Sequence, residues 1–162
     1  MCWWCEHPNA KWPDYLAHMR GLIRRFGWAV QAVERSGLHP PWSYTAGLTE
    51  AGCPELVATG LSAVRAAELL NDVASHLMHS DTVLTPGEQI PLVGGPLIQI
   101  VQLQEPSAHL SVATELYGKQ ISAVQLVHAD DRGHWPWDVG YRGVRGGQPV
   151  LGPRAVRSPD AA

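Results

Sequence analysis

Charge is scarce in this 162-residue chain: Asp, Glu, Lys and Arg make up 17% of it, and the formal net charge is only −3. A nucleic-acid binder displays clustered Lys and Arg, so direct nucleic-acid binding is not expected. The basic concentrations are Arg24-Arg25 and the late series Arg142, Arg145, Arg154 and Arg157, which read as a solvated helix end and tail. No apolar run reaches the ~18 residues that span a bilayer, and no charged segment followed by an apolar one opens the chain, so the expectation is a cytoplasmic protein without membrane contact. Phosphate-loop chemistry is missing too, because Gly94-Gly95-Pro96 is not followed by Lys-Ser or Lys-Thr. Ser43 and Ser62 lack the context of a nucleophile elbow. With only three cysteines, Cys2, Cys5 and Cys53, a disulfide framework is excluded.

Aromatics are skewed, with one Phe against seven Trp. Tryptophan combines a large apolar body with an N–H donor and favours core edges and contact surfaces. Residues 1–12 form an arm rich in Trp and Cys, 13–152 a single α/β domain, and 153–162 a tail expected to be mobile. A helix is expected from Pro13, with Leu16, Met19, Ile23 and Phe26 at helical spacing and Gly27 as its stop. Trp28 to Val33 reads as a strand. Tyr44-Thr45 and Leu56-Val57-Ala58 flank the turn residues Gly52 to Pro54, the pattern of a core hairpin. Ser62 is placed to cap a second helix whose apolar residues run from Ala66 to Met78. Thr85 to Pro96 reads as a loop with at most a short strand, Leu97 to Leu103 and Ile121 to His128 as buried strands, and Ser107 to Tyr117 as a helix capped by Ser107. These elements predict an α/β protein of the α+β type, with a mostly antiparallel sheet of about five strands and two or three packed helices.

Cys2-x-x-Cys5-x-His7 is the sharpest chemical pattern. Two thiolates two residues apart can grip one zinc ion, with the His7 imidazole as third ligand. Cys53 is a possible further ligand, as are His18, His39, His109, His128 and His134. A second constellation, Tyr44, Glu55, Asp130 and His134, is the candidate pocket of a hydrolase or cofactor-dependent enzyme. Asp130-Asp131-Arg132-Gly133 is also ordinary turn chemistry.

Gly27-Trp28, Tyr44-Thr45-Ala46-Gly47-Leu48-Thr49, Pro54-Glu55-Leu56-Val57, Gly60-Leu61, Gln125-Leu126-Val127, Asp130-Asp131-Arg132-Gly133 and Pro136-Trp137 occur in an order that resembles bacterial domain-of-unknown-function family 4262. The resemblance runs from Gly27 to Asp138 and implies a small bacterial cytoplasmic α/β domain, without supplying an activity. The arm lies outside it. The resulting expectation is an accessory or regulatory protein that binds zinc through Cys2, Cys5 and His7, with no catalysis assigned. An enzyme, or an adaptor docking to a protein or larger assembly such as the ribosome, are the rival expectations.

Overall fold

The computed structural model describes residues 3–143 and 147–155. It is an α+β fold built on a six-stranded mixed sheet. A one-turn helix α1 (Trp3–Glu6) precedes α2 (Trp12–Phe26). The strands are β1 (Ala29–Val33), β2 (Trp42–Ala46), β3 (Glu55–Thr59), β4 (Gln89–Pro91), β5 (Leu97–Gln102) and β6 (Ala123–His128). Helix α3 (Ala63–His79) follows β3, and α4 (Pro106–His109) and α5 (Ser111–Tyr117) lie between β5 and β6. The spatial order is β1-β2-β3-β6-β5-β4. Every neighbouring pair is antiparallel except β3 and β6, which run parallel because α3 carries the chain across the sheet. The sixth strand is β4, three residues within the region expected to hold at most a short strand.

Strand alternation divides the core in two. On one face Tyr44, Ala46 and Val57 meet Leu16, Met19 and Ile23 of α2 and Val112 and Ala113 of α5. On the other, Leu56, Ala58, Ile98, Ile100, Val124 and Leu126 meet the buried stripe of α3, Ala66, Leu69, Leu70, Val73, Ala74 and Leu77. Ser62 caps α3 as expected, its Oγ accepting the Arg65 N–H at 3.4 Å. Gly27 ends α2 with φ +91° and donates its N–H to the Ile23 carbonyl.

One expected helix is broken. Ser107 does not cap it; Glu105 precedes the first turn, with Pro106 inside it. At Leu110 (φ −113°, ψ 65°) the chain leaves helical geometry before α5 begins. The break lets Leu110 bury its side chain completely and turns the Val112 N–H onto the Tyr44 hydroxyl at 3.0 Å. A tertiary anchor thus overrides the local helical pattern.

Residues 147–152 pack against the sheet. The Leu151 N–H donates to Gln125 Oε1 at 2.7 Å, and the Pro149 carbonyl accepts from Gln125 Nε2 at 2.7 Å and from the Thr59 hydroxyl at 2.7 Å. A Cβ on Gly152 would overlap the Gln102 carbonyl oxygen, so only glycine permits this approach. Most of the expected mobile tail, with Arg157, lies outside the described residues, as do Arg145 and Cys2.

Candidate functional site

The arm is the first candidate. Trp3 packs into the α2 face of the core, and its ring stacks with His7 (4.4 Å between centroids) and with His18 of α2 (5.3 Å). Trp4 stacks on Tyr15 at 5.2 Å, so aromatic contacts dock α1 onto α2. Cys5 and His7 are exposed on this docked turn. His7 Nδ1 lies 2.9 Å from the Trp3 carbonyl oxygen. A carbonyl only accepts, so Nδ1 carries the proton, and in the neutral ring the lone pair sits on Nε2. Among the described residues no three His, Cys, Asp or Glu side chains form a metal-sized cluster. Cys2, the remaining member of the pattern, is outside them.

Of the suggested additional ligands, His18 is brought to the arm through Trp3. Cys53 is not: it packs against the α3-side cluster, on the opposite face of the sheet from Trp3. The His109 carbonyl accepts from the Trp42 indole at 3.1 Å, and His39 closes a small loop with Ser36. Burial pushes the His128 imidazole below its ordinary 6.5, against the opposing effect of its backbone hydrogen bonds.

The four residues of the second constellation do not share a cleft. The Tyr44 hydroxyl is held between the Val112 N–H and Ser111 Oγ (3.2 Å), and burial raises its pKa. Glu55, fully buried, collects four donors. Its Oε1 accepts from the Gly47 N–H (3.0 Å), the Thr49 N–H (3.0 Å) and the Thr49 hydroxyl (2.7 Å), and its Oε2 from the Thr45 hydroxyl (2.7 Å). Thr45 Oγ1 in turn accepts the Leu56 N–H at 2.8 Å, tying the carboxylate to both strands of the hairpin. Asp130 lies toward the other end of the sheet. Glu55 is level with Ala123 of β6, and Asp130 comes seven residues later, roughly 20 Å away at about 3.3 Å per residue.

Asp130 organises the loop after β6. Its Oδ1 accepts the N–H groups of Arg132 (2.9 Å) and His134 (2.8 Å), and its Oδ2 accepts that of Arg142 (2.9 Å). His134 Nδ1 stands 3.4 Å from Oδ2 without making a hydrogen bond. Burial works to raise the Asp130 pKa, but these N–H groups and His134 outweigh it and hold the carboxyl at about 2, below its ordinary 3.8. A depressed folded-state pKa stabilises the fold above the unfolded value and is lost as pH falls through the folded one. Stability therefore drops between about pH 4 and pH 2, and Asp130→Asn should flatten that drop in urea titrations while lowering stability at neutral pH. Beyond the turn, Trp135 and Trp137 stack at 5.6 Å, and the Arg154 guanidinium lies 4.7 Å from the Trp137 ring centre.

A hollow of about 230 Å³ between α2 and α5 escaped the sequence reading. Arg20, Arg24, Glu50, Leu116 and Tyr117 line it, and the Tyr117 hydroxyl donates to Glu50 Oε1 at 2.7 Å. Burial, then the Glu50 carboxylate, raise the Tyr117 pKa strongly. The spacing of Arg20 and Arg24, four apart on a helix, was a usable signal; the arrival of Tyr117 was not.

Fold and buried polar groups together define a small α+β domain in which the internal carboxylates serve the architecture and an aromatic arm is docked on one helix. The chain belongs to DUF4262, a domain of unknown function whose family model matches residues 22–142. The match begins within α2 and leaves the arm outside. No curated protein and no solved structure matched the chain. No helix among the described residues is long and apolar enough to cross a membrane.

Proposed function

We propose that this is a non-catalytic accessory or regulatory protein of the bacterial cytoplasm that holds zinc on its amino-terminal arm. Cys2 and Cys5 supply thiolates and His7 a neutral imidazole. The supporting observation is the His7 Nδ1–H bond to the Trp3 carbonyl. Histidines that bind metals commonly anchor the remote ring N–H in this way, which orients the ring and presents Nε2. Stacking on Trp3 fixes the ring further, and exposure of Cys5 and His7 leaves the metal accessible. Zinc here would order the arm or report metal availability to a protein partner, for which the half-exposed Trp4 and Trp12 are suitable contacts.

Elemental analysis of protein purified without a metal-binding tag should find about one zinc per chain, because three arm ligands can hold one ion. Cys5→Ser and His7→Ala should each reduce that content severalfold, and Cys2→Ser with Cys5→Ser should abolish it. Wild-type protein without zinc, or equal zinc in the double variant, would refute the proposal.

A further inference from the structure

A second hollow, about 220 Å³, lies on the α3 face near the end of β3. Its floor follows from register. Ala32 of β1, Ser43 of β2 and Ala58 of β3 stand directly opposite one another in adjacent strands, so three small side chains share one face. Ala32 and Ser43 line the hollow; Ala58 is buried beside them in the α3-side cluster. Above them Gly60, with φ +72°, turns the chain from β3 into α3, and Ser62 and Ala63 form the near wall.

Two independent features give this hollow the chemistry of an anion site. The first is the start of the long helix α3. Its N-cap Ser62 satisfies the Arg65 N–H through Oγ and the Ala66 N–H through its carbonyl. The N–H groups of Ala63 and Val64 have no such acceptor among the described residues. Free N–H groups and the positive end of the helix dipole favour an anion. The second is Ser43. It is 2% exposed, lines the hollow, and its hydroxyl makes no hydrogen bond to another described residue. On an otherwise buried residue of the lining, this hydroxyl is left to a ligand or water in the hollow. Glu34 and Arg35 both stand at the exposed rim and offset each other in charge, so the selectivity comes from the inner donors.

We propose that this hollow binds a phosphoryl group, with oxygens accepting from the Ala63 and Val64 N–H groups and from the Ser43 hydroxyl. A tetrahedral oxyanion suits donors that converge from the helix end above and the strand floor below. The hollow also adjoins the end of a strand of the sheet's one parallel pair, where open sheets of mixed and parallel type tend to receive ligands. The group could be free phosphate or the end of a small phosphate ester.

Amide chemical shifts of uniformly ¹⁵N-labelled full-length protein, titrated with inorganic phosphate, glycerol 3-phosphate or sodium acetate at fixed ionic strength and pH, test this. Saturable shifts at Ser43, Ala63 and Val64 are expected with phosphate or the ester, at least fivefold tighter than with acetate. Tighter binding of the ester identifies it as the natural source; equal or tighter binding of phosphate identifies the free ion. Ser43→Ala should weaken binding at least fivefold. Ala63→Pro, which removes one donor where proline suits the first helical turn, should weaken it similarly with the circular dichroism spectrum unchanged. Absence of saturation, equal response to acetate, or undiminished binding in folded Ser43→Ala would overturn the proposal.

Discussion

Replacing Glu55 with alanine should destabilise the protein by about 4 kcal/mol or more in urea titrations, a large part of the 5–15 kcal/mol typical of a domain. The expected size comes from the donor count. Four groups point at the carboxylate, and the residue is fully buried. Each donor left without an acceptor in a buried setting loses roughly 1–3 kcal/mol, offset where water can enter the vacated space. Glu55→Gln should lose less, about 2 kcal/mol. Its amide oxygen can keep the three donors now on Oε1, and its amino group can reach Thr45 Oγ1, but the Thr45 hydroxyl proton then has no acceptor. The ordering Ala worse than Gln distinguishes a hydrogen-bond hub from a residue valued for bulk alone. A loss below about 1 kcal/mol for Glu55→Ala would show that the four donors find other partners.

Gly47→Ala should lose about 3 kcal/mol, through backbone strain combined with overlap. Gly47 has φ +123°, and a Cβ there would lie 2.9 Å from both the Gly27 carbonyl oxygen and Trp28 Cα. Those are backbone atoms at the end of α2 and the start of β1, so no side chain can rotate out of the way. Gly47 also donates to Glu55, which makes the two sites one unit: the double variant should lose measurably less than the sum of the singles. Gly52→Ala is the control. Its φ is +74° with open space around the added methyl, so only the conformational penalty of about 1 kcal/mol is expected. Equal effects at Gly47 and Gly52 would remove the close approach of α2 as the reason for glycine at position 47.

Much of this architecture is written in local pattern. The stripes of α2 and α3, the Ser62 cap, the Gly27 stop and the two-faced apolar character of β5 all follow from spacing, because each depends on neighbours within a turn or a strand. The break at Leu110 does not, because its cause is the hydroxyl of Tyr44, far away in sequence. Segment 147–152 lacks periodicity for a related reason. Its Pro149 carbonyl and Gln148 side chain bond to Thr59, Gln125 and His128, partners that only the assembled sheet supplies.

Candidate sites were legible to a different degree. Glu55 heads an apolar strand, where a buried carboxylate needs partners, and it has them. Its grouping with Tyr44, Asp130 and His134 did not hold, since composition says nothing about which end of a sheet a loop occupies. Cys53 illustrates the same limit: its place in the sequence does not show which side of the sheet it occupies, and it packs opposite the arm. The Ser43 hollow depends on cross-strand register, which single strands do not display.

X-ray absorption at the zinc edge on the purified full-length protein tests the metal assignment most directly. Cys2, Cys5 and His7 as ligands predict two sulfur scatterers at about 2.3 Å and at least one imidazole nitrogen at about 2.0–2.1 Å. A first shell made only of oxygen and nitrogen, or one that keeps its sulfur in Cys2→Ser with Cys5→Ser, would contradict it.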